Sequence, residues 1–199
     1  MPKIVDHDLR RNEIAAVTLR VIQRAGVDGA TFRSTAEEGG FSRGVVPHYF
    51  RDKEQLISFV FDWVANNLIQ DILNKAEQIT SALAKLRLSL ISLLSEDNND
   101  SASIVYMSFW SQAVKNSKLQ QQHRLNYLQW RGLVKGYMQE AVHAGDICND
   151  ININDESDIL ISAVDGLCIA TMLEHEQFPY QRAEALIDSM LARLLTKHN

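Results

Sequence analysis

Apolar residues return every three or four positions along most of the chain, and no run alternates apolar with polar residues for long. Ile14, Val17, Thr18, Val21, Ile22 and Ala25 follow the i, i+3, i+4, i+7 spacing of one helix face, and Gly26 stops that helix. Thr31 then starts a very short helix that ends at Gly39-Gly40, and Ser42 caps a second short one. Asp52 with Gln55 resembles a capping box and opens a long helix through Trp63 to about Ile79. Further helices are predicted at about 81–95, 102–115 and 118–144, the last ending at Gly145. Polar EDNNDS (96–101) and DICNDININ (146–154) read as loops. Asp155 or its neighbour Asn154 begins another helix to about Glu174, and Pro179 opens the last, to about Thr196. The pattern predicts an all-α fold of about nine helices, three small and then six larger. Residues 1–50 form one unit and 51–199 a second, joined by the long fourth helix.

Composition narrows this picture. An apolar content of 46% supports a buried core, and 199 residues suit one or two compact units. Cys148 and Cys168 form no CxxC pair and read as reduced thiols, Cys168 in an apolar run. The start, MPKIVDHDLRRNEI, lacks the apolar stretch of a signal peptide. Asp165 interrupts the longest apolar run, Ile159 to Leu173, which falls short of the roughly 20 residues a membrane span needs. A cytoplasmic chain without membrane contact is expected.

Charge says where a polyanion would land. Residues 1–56 hold nine Lys/Arg against eight Asp/Glu, a net of +1, whereas the remainder holds eleven against seventeen, a net of -6. A nucleic acid would therefore meet the first quarter and be repelled by the rest.

That quarter contains FSRGVVPHYFRDKEQL (41–56), which follows a Gly39-Gly40 turn. Two short helices joined by a tight turn make a helix-turn-helix. Phe41 is expected to turn inward onto Phe32, Ala36 and the first helix. Ser42 would leave the second helix's N-terminus outward, where N–H groups suit a phosphate. Arg43, Val45, Val46 and His48 would then lie on or near a major-groove floor. Arginine grips guanine O6 and N7 with two hydrogen bonds, and valine touches a thymine methyl. Counted from a Ser42 cap, Pro47 is the fifth helical residue. It would forfeit the bond to the Arg43 carbonyl and bend or tighten the helix.

TFRSTAEEGGFSRGVVPHYFRDKEQL (31–56) resembles the DNA-binding signature of the TetR family of bacterial regulators. The resemblance rests on Thr31, on Ala36-Glu37-Glu38-Gly39-Gly40-Phe41-Ser42, on His48-Tyr49-Phe50 and on Lys53-Glu54-Gln55-Leu56. It implies phosphate contacts from Thr31, Tyr49 and Lys53, and base or sugar contacts from the residues following Ser42. With Arg33 and Gly44 added, the candidate DNA-binding set is Thr31, Arg33, Ser42, Arg43, Gly44, Val45, Val46, Pro47, His48, Tyr49 and Lys53. Three residues depart from the family pattern. Thr35 replaces isoleucine or leucine, Gly39 replaces alanine, and Pro47 replaces tyrosine or serine.

The resemblance further implies a homodimer and a small-molecule effector held by the larger helical part. The helix over 159–173 is apolar nearly all round, so it is buried on more than one side. Leu160, Val164 and Leu167 on it, with Leu186, Met190 and Leu194 on the last helix, form the candidate dimer interface; a central core helix in a monomer is the other reading. Aromatic side chains at Tyr106, Phe109, Trp110, Tyr127 and Trp130 are the candidate ligand-binding set, since ring faces hold cations. Aromatics at helical spacing are also ordinary core. This part resembles, more loosely, the choline-responsive betaine-synthesis repressors. Asp165 reads either as a ligand's counter-charge or, preferably, as a partner of a nearby helix end.

No metal spacing appears, and His123, His143 and His175 read as solvated. No nucleophile elbow, phosphate loop or dinucleotide fingerprint occurs, so neither an enzyme nor a cofactor is expected. The chain therefore reads as a ligand-responsive regulator, a repressor released from double-stranded operator DNA by a small molecule. The alternative is a helical adaptor that has lost DNA binding, with Gly39 and Pro47 as scars.

Overall fold

The structure, a computed structural model, describes residues 7–97 and 100–196. The opening stretch, read as lacking a signal peptide, therefore lies outside the described residues up to Asp6, as do Asn98 and Asn99 of the predicted 96–101 loop. Among the described residues there are nine helices: α1 (His7–Gly29), α2 (Phe32–Glu38), α3 (Val45–Tyr49), α4 (Lys53–Ala76), α5 (Ala82–Ile91), α6 (Ser101–Ala113), α7 (Ser117–His143), α8 (Ile153–Leu173) and α9 (Tyr180–Ala192). The one pairing of strand type among them is an isolated antiparallel bridge between Ile147 and Leu195.

The chain folds into two compact units, Met1–Asn66 with Asn99–His123, and Asn67–Asn98 with Arg124–Asn199. The first thus gathers α1 to α3, the start of α4, α6 and the first turns of α7, which is more chain than residues 1–50.

In the first unit α1 buries Ile14, Ala15, Val17, Thr18, Val21 and Ile22, which include five of the six residues read from the 3.6-residue period; the sixth, Ala25, is exposed beside the Gly26 break. Gly26, at φ 67°, breaks it, because this left-handed backbone crowds any Cβ. The Thr35 departure has a partner here. Thr35 and Thr18 are both fully buried, with their hydroxyls 3.4 Å apart, and Thr18 also donates to the Ile14 carbonyl at 2.7 Å. A buried hydroxyl without such a bond is costly, so the two threonines suit each other. Phe61 of α4 and Phe109 of α6 stack at 3.6 Å with planes 5° apart, and both are buried.

The second unit packs α5, the later parts of α4 and α7, α8 and α9 around Leu86, Leu90, Val134, Met138, Leu160 and Ile187. Trp130 donates its indole N–H to the Ser89 carbonyl at 2.9 Å. Arg87 on α5 clasps Asp188 at 2.5 Å and Glu184 at 2.8 Å on α9. Asn152 caps α8, two or three positions ahead of the expected start, by accepting from the Asn154 and Asp155 N–H groups. Pro179 is the residue just before α9 rather than its first turn.

Candidate nucleic-acid interface

The geometry of the reading head follows from two caps and one turn. Thr31 Oγ1 accepts from the Ser34 N–H at 3.1 Å, and Ser34 Oγ accepts from the Thr31 N–H at 2.8 Å, a reciprocal capping box. After α2, Gly40 takes φ 64°, the left-handed conformation that lets the chain reverse. Gly39 has an ordinary φ of -85° and serves differently. A Cβ there would meet the Phe41 ring at 2.5 Å, so glycine makes room for the inward phenylalanine. The Arg10 guanidinium lies 5.7 Å from that ring's centroid.

The start of α3 corrects the expectation. Gly44, not Ser42, is the N-cap, with no side-chain cap bond; Ser42 contributes its carbonyl, which accepts from the Val45 N–H at 3.0 Å. Pro47 is therefore the third residue of α3, not the fifth. The first N–H groups of a helix have no intrahelical partner, so its missing N–H costs no bond. The helix continues past it, with the His48 N–H reaching the Gly44 carbonyl at 3.2 Å.

Thr31, Arg33, Ser42, Arg43, Gly44, Pro47 and His48 are exposed, while Val45 and Tyr49 are half-buried. Val46 is fully buried in the first core, so its side chain points away from any groove floor. Lys53 Nζ donates to the Asp28 carbonyl at 2.9 Å, tying α4 to the end of α1 and leaving two of its three donors.

The local charges are mostly paired. Arg33 binds Glu37 at 2.8 Å and holds its carboxyl below the usual range. Arg24, with help from Arg20, does the same to Glu38. Asp52 is lowered first by the Gln55 N–H and then by Arg51. The Gln55 side chain accepts from the Arg51 N–H, one residue short of a full box. Arg43 makes no ion pair among the described residues and is exposed.

The aromatic set divides between the units. Tyr106, Phe109 and Trp110 belong to the first and Tyr127 and Trp130 to the second. Phe109 and Trp130 are core residues by burial. Tyr127 donates to Asp165 at 2.5 Å, so the partner of Asp165 is a phenol rather than a helix end. Burial lifts the Asp165 carboxyl to about 6, against the pull of Tyr127 and Arg131. His123 is half-buried beside Trp110, not solvated, and burial lowers its pKa. Of the dimer set, Leu160, Val164 and Leu194 are buried within their own unit, Leu167 and Met190 are half-buried, and Leu186 is exposed. Pattern alone missed the outward residues of α8, Ile159, Gly166 and Leu173, spaced seven apart and all exposed.

Residues 14–58 match the model for bacterial regulatory proteins of the tetR family. Residues 82–196, more than half of the chain, match the model for the C-terminal region of BetI-type transcriptional repressors. The chain belongs to the TetR family.

Among TetR-family relatives, the HTH-type transcriptional regulator BetI of Pectobacterium carotovorum is 26% identical over 200 residues, spanning 99% of this chain and 100% of that protein. The regulator PksA of Bacillus subtilis is 28% identical, over 94% and 90%. Two solved structures share the fold. A proposed transcriptional regulator from Saccharomonospora viridis in complex with choline superposes with a TM-score of 0.86 at 15% identity, over 96% and 100% of the two chains. FadR of Bacillus subtilis in complex with stearoyl-CoA gives 0.73 at 19%, over 94% and 98%. As a TetR-family member the chain is a ligand-responsive, DNA-binding transcriptional regulator that functions as a homodimer. Among the described residues no helix is long and apolar enough to cross a membrane.

Proposed function

We propose that the regulator reads its operator with Arg43, Gly44, Pro47 and His48, and holds the backbone with Thr31, Tyr49 and the spare donors of Lys53. The observation that carries this reading is Arg43: exposed, beside the first residues of α3 and in no ion pair among the described residues, although its charge reaches Glu37 from a distance, whereas neighbouring Arg33 is spoken for by Glu37. An arginine so placed is available for a bidentate grip on guanine. The adaptor alternative loses its support, because Gly39 accommodates Phe41 and Pro47 sits where it forfeits no hydrogen bond. Repression follows if two heads occupy successive major grooves, about 34–36 Å apart. The exposed row Ile159, Gly166 and Leu173 on α8, with Leu186 on α9, supplies the pairing face.

The effector best suited to the second unit is a small quaternary ammonium compound. Asp165 is a desolvated carboxylate held by the Tyr127 hydroxyl, and the Tyr127 ring lies 5.6 Å from that of Trp130, so a carboxylate and two aromatic rings are gathered in one place, a combination that favours a bulky cation. Choline, the ligand of the Saccharomonospora viridis protein, is the first compound to try.

Anisotropy titrations with DNA upstream of the protein's own coding sequence test both halves. Arg43→Ala should weaken that DNA by about 1–3 kcal/mol and relax preference at one base position. A uniform loss across sequences would reassign Arg43 to a phosphate. Choline should raise the dissociation constant of the wild type but not of Asp165→Asn.

A further inference from the structure

The sequence reading left the first turn of α1 out of the interface. In the structure His7 opens that helix, is exposed, and lays its ring 4.6 Å from Tyr49, at 50° between planes. His48 meets the same tyrosine edge-on at 5.0 Å. Tyr49 is thus flanked by two imidazoles, one from each of two helices. One turn along α1, Arg11 spreads its guanidinium over Phe59 at 4.2 Å and Phe50 at 5.1 Å. This fixes the start of α1 against the end of α3 and the first turns of α4. His7 is therefore held in register with the reading helix rather than swinging on a free end.

We propose that His7 is a DNA-contacting residue that joins Tyr49 on the operator backbone and couples operator binding to uptake of a proton. This rests on the interface proposed above. An imidazole can carry a proton, and a phosphate beside it favours the charged form. Tyr49 of α3 packs against His7 and is met in turn by His48, and the charged groups in the same turn of α1 are Asp8, Arg10, which pairs with Glu13, and Arg11. No carboxylate among the described residues makes an ion pair with it. The proton comes from solvent and stays on the ring in the complex, so binding strengthens as pH falls.

The test is duplex binding by the full-length protein at pH 6 and pH 8, at one low ionic strength, using the upstream DNA and a random-sequence duplex. Wild-type affinity should rise at pH 6 by on the order of fivefold per bound subunit on both duplexes, as a phosphate contact requires. His7→Gln should bring the pH 6 affinity down toward the pH 8 value. His7→Arg, with a permanent charge, should bring the pH 8 affinity up toward the pH 6 value and flatten the profile. His48→Gln measures the share of the other imidazole. Thermal melting of each variant without DNA separates misfolding from lost contact. If the wild type binds but His7→Gln keeps the full pH effect, or His7→Arg fails to flatten it, the inference about His7 is wrong while the interface stands. If the wild type binds neither duplex, the interface itself is wrong, and His7 with it.

Discussion

The α2–α3 region and the α5–α9 seam are held together in opposite ways. In the reading head, many polar groups are satisfied by residues a few positions away, Thr31 by Ser34, Asp52 by Gln55 and Arg33 by Glu37, and the longer ties, Glu38 to Arg24 and Lys53 to the Asp28 carbonyl, span no more than a few tens of residues. In the second unit the ties span about a hundred residues, as Arg87 reaches Glu184 and Asp188, or several tens, as Trp130 reaches Ser89 and Tyr127 reaches Asp165. Short helices bury little apolar surface and rely on caps and turns, whereas long helices rely on packing, with polar contacts added wherever two faces meet. A head built from local bonds can move as a body with its own shape intact. A bundle built from distant bonds registers any change in how its helices lie.

Beyond the reading head the first unit has distant ties of its own, as Ser58 bonds Gln122 and Phe61 stacks on Phe109. Phe61→Ala should cost about 3–5 kcal/mol in urea unfolding, through lost burial and the cavity left behind. A cost under about 1 kcal/mol would mean the head needs no distant support. Gly39→Ala attacks the local side. The added methyl meets the Phe41 ring, and a loss of about 1–3 kcal/mol is expected from overpacking. Phe41→Leu should recover part of it.

In the bundle, Arg87→Ala should cost about 1 kcal/mol, less at high salt, because the pair is only half-buried. Asp188 is held low by Arg87, so this stabilisation is present at neutral pH and fades as the carboxylate is protonated in the acid range. Asp165 has the opposite sign. Burial raises it to about 6, so the folded state takes up its proton more readily than the unfolded chain does. Its contribution to stability grows as pH falls from 7 toward 4, and Asp165→Asn should abolish that growth in melting experiments. The smallest effect is expected at Thr35→Val. Thr18 keeps its bond to the Ile14 carbonyl, so the loss should stay within about 0.5 kcal/mol, measured by urea unfolding of the single variant and of the Thr18→Val/Thr35→Val pair.

The same contrast explains what could be read from sequence. The helix over 14–25, the Thr31 start and the Gly39-Gly40 turn rest on neighbours in the chain, and their signals lie within a few residues. The beginning of α3 was misplaced because a serine at a cap-like position competes with a glycine two residues on. Only the backbone path decides between them, and that decision moved Pro47 from a costly site to a neutral one. The dimer set suffered from a different ambiguity. An all-apolar helix gives no phase, so Leu160 and Val164 could not be distinguished from Ile159 and Leu173 until the fold showed which ones its own core had used. The Thr18–Thr35 and Tyr127–Asp165 pairs had no sequence signal, because nothing local links their members.

Pro47 has a wider meaning for how such a regulator changes over time. A position with no hydrogen-bonding duty and an outward side chain can be exchanged without disturbing the scaffold, so drift there is nearly free of folding constraint. New target preferences could be sampled one substitution at a time at that site, while the buried valine one residue earlier keeps the helix seated.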